Sequence, residues 1–78
     1  MNLVDWVEIR EQIAAVEHNV WMTWAKTILE KESITIERQQ RWGKFFIPYA
    51  ELPEKEKDKD RKQADKVLAV VRKYVTIQ

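Results

Sequence analysis

With 78 residues the chain is one domain, too small to bury a large core, and its formal net charge of +1 excludes a polycation built for duplex DNA. Cysteine is absent and His18 is the one imidazole, which excludes disulfides, thiolate metal sites and a zinc centre within one chain. Such a domain needs a rich core or self-association to be stable, and four tryptophans, two tyrosines and two phenylalanines suit either use.

The first residues, Met1–Asn2–Leu3–Val4–Asp5–Trp6, lack a basic stretch followed by an apolar run, and no stretch approaches the ~20 apolar residues of a membrane span. A cytoplasmic protein with no membrane partner is the expectation. From Leu3 to Lys31 the apolar residues recur with helical period. Leu3, Trp6, Val7, Ile13, Ala14, Val20, Trp21, Trp24, Ala25 and Ile28 share one broad face. Arg10 and Glu17 interrupt that face. Either charge would be costly if buried alone, so the sequence favours a break near Glu17–Asn19 and two helical segments over one long helix. The breadth of the face also predicts a homo-oligomer, with Trp6, Arg10, Glu17 and Trp24 in its interface.

A second helix is expected from an N-cap at Ser33 or Thr35 to about Phe46. Ile36, Trp42, Phe46 and Ile47 lie on one side of it. Arg38, Arg41 and Lys44, spaced by three, lie on the other. Pro48–Leu52 reads as an extended connector. Pro53 then starts the last helix, which runs to about Val75 with Glu54 and Glu56 at the positive end of its macrodipole. Its stripe of Ala64, Val67, Leu68, Val71, Tyr74 and Val75, extended backwards, turns Lys57 and Asp60 toward the rest of the protein.

The chemistry-bearing residues are few. The run Glu54–Lys62 alternates in sign and reads mostly as a solvated helix held by i,i+3 pairs. Lys57, Asp60 and Arg61 are the exceptions, placed either for structural pairing or for a ligand. Glu8 and Glu11 have metal-site spacing, but no matching Glu-x-x-Asp follows. His18 lacks the nucleophile and orienting acid that a triad needs and reads as a packing histidine. No catalytic set, metal site or cofactor is expected, and an enzyme is not. The basic face of Arg38, Arg41 and Lys44, with Tyr49 nearby and Arg61 as an outer member, is the candidate ligand site, because cations beside aromatic rings hold anions and stack bases.

The stretch Pro48-Tyr49-Ala50-Glu51-Leu52-Pro53-Glu54-Lys55-Glu56-Lys57-Asp58-Lys59-Asp60-Arg61 resembles the PY-x-x-LP-x-x-x-K-x-x-DR segment of ryanodine-receptor repeat domains. His18-Asn19-Val20-Trp21 resembles the His-x-x-Trp of that family's first helix. The likeness covers about half of the chain. The family's Gly-Trp-x-Tyr-Gly hairpin and His-Pro-x-Leu strand have no counterpart in Ser33–Ile47. The resemblance implies a short bacterial or phage module that binds a ligand, with nucleotide-derived molecules as candidates, and implies neither catalysis nor conduction.

The expectation is therefore an all-α domain of three or four helices with the last packed along the first. Its leading function is non-enzymatic binding of a small anionic ligand or an acidic partner. A homo-oligomeric structural or interaction protein using its tryptophan-rich face is the alternative, and a single-stranded nucleic-acid binder the third reading.

Overall fold

The computed structural model describes residues 4–75, so Leu3 of the expected first helix lies outside the described residues. Three α-helices and one 3₁₀ turn make up the fold, with no strand among the described residues: α1 (Trp6–Lys31), α2 (Ile36–Gly43), the turn Tyr49–Glu51, and α3 (Glu54–Val71). None of these helices is long and apolar enough to cross a membrane.

α1 starts at Asp5, whose side chain accepts from the Glu8 N–H at 3.0 Å, satisfying one of the donors a helix start leaves free. It then runs without interruption to Lys31, so the break expected near Glu17–Asn19 does not occur. The reason lies in which residues face α3. Trp6, Arg10, Ala14 and His18 follow one another at intervals of four along α1, and Asp60, Ala64, Leu68 and Arg72 do the same along α3. These two rows meet: the Arg72 guanidinium lies 4.6 Å from the Trp6 ring centroid and His18 faces Asp60, while Arg10 reaches beside the α3 row to Asp65. Rows of i±4 residues packed against each other are a common way for two helices to cross. Along such a row Arg10 emerges at the edge of the contact, where its guanidinium stays partly exposed and takes both Asp65 oxygens, at 2.7 and 3.1 Å. Glu17 is likewise only half-buried. Neither charge is trapped, so neither breaks the helix.

Thr35 caps α2, its side chain accepting from the Arg38 N–H at 3.2 Å. The helix ends at Gly43, three residues before the expected end, and buries no residue completely. Ile36, expected on the packed side, is exposed. The Pro48–Leu52 connector is not fully extended but closes a 3₁₀ turn, with the Leu52 N–H donating to Tyr49 O at 3.0 Å. That turn carries Leu52 into the core, where it is 5 % exposed. α3 ends at Val71, short of Val75, in a turn over 72–74. Ala64 and Leu68 of its stripe are buried, whereas Tyr74 is exposed.

The molecule is thin, 52 × 22 × 15 Å. Its core is correspondingly small, built from Ala14, Ala25, Leu52, Ala64 and Leu68 with His18 among them. The alanines let the helix backbones approach closely, and the cost is that little apolar area is buried per residue. Polar contacts between the helices therefore matter more here than in a larger domain.

Candidate functional site

Two polar clusters join α1 to the segment that follows α2. In the first, His18 is 3 % exposed and its Nε2 lies 2.7 Å from the Ile47 carbonyl oxygen. A carbonyl only accepts, so Nε2 carries the proton it donates, and Nδ1 is left facing Asp60 Oδ2 at 3.8 Å. Burial pushes the Asp60 carboxyl up from its ordinary range, with His18 opposing that shift. In the second cluster Arg61 donates through Nε and Nη2 to the two oxygens of Glu11, at 2.8 and 2.7 Å, and through Nη1 to Glu54 and Asp58 at 2.7 and 2.9 Å. The Tyr49 hydroxyl donates to Glu11 at 3.1 Å, and the Lys57 ammonium lies 5.6 Å from the Tyr49 ring centroid. Arg61 holds Glu11 below the usual carboxylate range, chiefly by hydrogen bonding, and does the same to Glu54. Burial, and then the bond to Glu11, raise Tyr49. The three carboxylates raise Arg61.

His18 and residues of the Pro48–Arg61 stretch are thus used in contacts within the fold. His18 faces Asp60, Tyr49 and Arg61 share Glu11, Lys57 covers Tyr49, and Leu52 is core. Of the two roles open to Lys57, Asp60 and Arg61, the geometry displays the structural one.

These clusters respond to acid in opposite directions. A carboxylate held below its unfolded value stabilises the fold above that value and loses the contribution as pH falls through the folded one. Glu11 and Glu54, lowered from an ordinary 4.5, should therefore weaken the fold progressively below about pH 4.5. Asp60 is raised, so its own contribution improves as pH falls. Melting curves between neutral pH and pH 3 should show Glu11→Gln flattening the acid loss and Asp60→Asn steepening it. Parallel curves for both variants and the parent protein would contradict these assignments.

Beside the His18–Asp60 pair lies an open cleft of about 680 Å³ between the middle of α1, the end of α2 and the first half of α3. Its apolar wall is aromatic: Trp21, Trp24, Trp42 and Phe45. Trp21 sits 6.2 Å from Trp42 edge-on, 5.5 Å from Phe46 and 5.9 Å from the His18 ring, nearly parallel to it, while Trp24 lies 5.6 Å from Trp42. These are separations at which aromatic pairs attract beyond their buried area. Glu17, Glu56 and Asp60 bring acidic groups to the cleft, and Arg41 and Lys59 bring cations.

The five residues expected to bind a ligand are split by the fold. Arg41 lines the cleft. Arg38 lies 5.9 Å from the Trp42 ring centroid, on α2, and Lys44 is exposed at that helix's end. Tyr49 and Arg61 belong to the Glu11 cluster, where the guanidinium is already shared among three carboxylates. The four residues expected in an oligomer interface are divided too: Trp6 and Arg10 contact α3, while Glu17 and Trp24 line the cleft. Sequence reasoning overlooked Leu52 and Glu11. The first was hidden in an apparent connector, and the second was visible only as half of a metal-type pair. Helical phase did carry a signal for the buried polar contacts, since it turned Lys57 and Asp60 inward.

Comparison with known proteins leaves these residues to speak for themselves, because no protein family, curated protein or solved structure matches the chain.

Proposed function

We propose that the domain is a non-enzymatic binding module whose tryptophan-lined cleft takes a flat apolar or aromatic group, with Arg41 holding an anionic substituent at the rim. The observation that carries this reading is the cleft: about 680 Å³, with an aromatic wall of Trp21, Trp24, Trp42 and Phe45 and charged groups, Arg41 among them, beside it. Small-molecule sites are commonly concave, apolar and of about 300–1,000 Å³ with a few placed polar groups. Arg41 is exposed and belongs to the cleft lining, so it is available to an anion in a way that Arg61 is not. A nucleotide-derived ligand has the required ring and charge. The domain offers little to a reaction. Ser33 is its one serine and cysteine is absent, and the His18 Nε2 proton is committed to the Ile47 carbonyl.

Mononucleotides, cyclic dinucleotides and a short single strand, screened by thermal shift and tryptophan fluorescence, test the reading. A ligand at 100 times its Kd adds about 2.7 kcal/mol to the folded state, which a melting curve resolves easily. Arg41→Glu should remove that shift while leaving the unliganded melting temperature nearly unchanged, because an exposed charge contributes little to folding but much to attracting an anion. Binding that survives Arg41→Glu, or no shift with any of these probes, would overturn the proposal. Binding only to the single strand, weakening steeply with salt, would favour a nucleic-acid module instead.

A further inference from the structure

α1 carries a second apolar face that the fold leaves partly uncovered, open at Val16 and Val20. Beginning at Trp6, the residues Ile9, Ile13, Val16, Val20 and Thr23 recur at alternating steps of three and four, the spacing that keeps one seam of a helix facing a partner helix. Glu11, His18 and Ala25, seven apart, lie on the opposite side, where His18 and Ala25 are buried and Glu11 is bound to Arg61. The seam therefore turns away from α3 toward Val16, Val20 and Thr23, while Trp6 at its start is covered by Arg72. Val16 is 58% exposed and Val20 59%, while Ile9 and Ile13 are half-buried. The Thr23 hydroxyl donates to the Asn19 carbonyl at 3.0 Å, so it can be covered without orphaning a donor.

We propose that α1 pairs in antiparallel fashion with α1 of a second copy of this chain, in the register that sets Ile13 against Val16 and Ile9 against Val20. This inference stands independently of what the cleft binds.

Charge selects both direction and register. In an antiparallel pair, the residues that follow the seam on one side meet their equals from the other helix. In the proposed register Arg10 meets Glu17, and on the other side Asp5 meets Lys26 and Gln12 meets Asn19; each pairing occurs twice by the two-fold symmetry. Sliding one helix by a heptad in either direction brings Arg10 onto Arg10 or Glu17 onto Glu17. A parallel pair would oppose Lys26 to Lys31, cancelling the Asp5–Arg10 contact it would also make, whereas the proposed pair opposes no like charges. Like charges brought together disfavour these alternatives. Asp5 already caps α1 and Lys26 lies 5.4 Å from the Phe46 ring centroid, whereas Arg10 and Glu17 keep capacity to pair. Arg10 uses Nε and Nη2 on Asp65, leaving Nη1 without a hydrogen bond among the described residues, and Glu17 makes no ion pair among them.

Shape points the same way. Val16, Asn19, Val20, Thr23 and Trp24 enclose a shallow hollow on the outer surface of α1. The first four of these are the residues that form the hole for a single knob of a facing helix. In the proposed register that knob is Ile9 of the second copy. Val20 belongs both to the hollow and to the larger cleft, so the second copy would stand along one wall of that cleft.

Sedimentation equilibrium should give twice 9.4 kDa at micromolar protein, and Val16→Glu should return the 9.4 kDa species with unchanged helical circular dichroism, since Val16 is exposed within one chain. Direction is read by crosslinking, which is clean because the chain has no native cysteine. Under mild oxidation, Ile9→Cys mixed with Val20→Cys should give the mixed disulfide, and Ile9→Cys alone should give little. A 9.4 kDa species at every concentration, a dimer unaffected by Val16→Glu, or ready self-crosslinking of Ile9→Cys would each overturn the proposal.

Discussion

His18→Ala should destabilise the domain by about 2–4 kcal/mol, a loss made of an unpaired part-buried carbonyl and a cavity beside α3. His18 is 3 % exposed, donates to Ile47 O at 2.7 Å and lies nearly parallel to the Trp21 ring. Its removal detaches the segment after α2 from α1 and leaves Asp60 without the imidazole it faces. A native structure of this length holds only about 4–12 kcal/mol in reserve, so the loss removes a large share of it and should lower the urea midpoint markedly. His18→Gln is the informative companion. Its amide nitrogen can still reach the Ile47 carbonyl, so it should recover part of the stability, but not the ring contact with Trp21. Urea unfolding followed by tryptophan fluorescence checks both. Equal losses in the two variants would mean that packing, not the hydrogen bond, is what His18 supplies.

Leu68→Ala should cost about 2–5 kcal/mol, the range for truncating a buried leucine whose surroundings cannot fully collapse. Leu68 is 5 % exposed and lies one turn along α3 from Ala64, which is fully buried, as is Ala14 on α1. Alanine has no side chain that can move into the space. Val70→Ala, two residues along α3 at a side chain that is 56% exposed, should change stability by less than about 0.5–1 kcal/mol. Denaturation midpoints for the pair would decide it. A Val70→Ala loss matching that of Leu68→Ala would place the buried face of α3 elsewhere.

His18 also connects stability with the cleft. His18 lines the aromatic cleft while holding the chain that follows α2. A ligand that stacks on Trp21 and Trp24 would therefore tighten the same contacts that keep Trp42 and Phe45 in place. The Glu11–Arg61–Tyr49 cluster clamps the 3₁₀ turn to α1 on the other side of Leu52. Short polar contacts thus do in this thin molecule what a wide apolar core does in larger ones.

The sequence by itself determined the helical class and several local details, because these depend on residues close together in the chain. Thr35 caps α2 and Pro53 precedes the first turn of α3 as their side chains dictate, and the period of the last helix correctly turned Lys57 and Asp60 inward. What only the tertiary structure decided involves partners far apart in sequence. Arg10 looked like an obstacle to a single long helix until Asp65, 55 residues away, was seen to take both ends of its hydrogen-bonding fork. Arg61 looked like part of an anion site until Glu11, 50 residues away, was found to occupy it. A charged side chain carries no local record of its partner, and a partner is what separates a costly buried charge from a clamp and a ligand contact from a structural pair. The packing of α1 against α3 fixed those partners, and it left Val16 and Val20 of α1 facing outward.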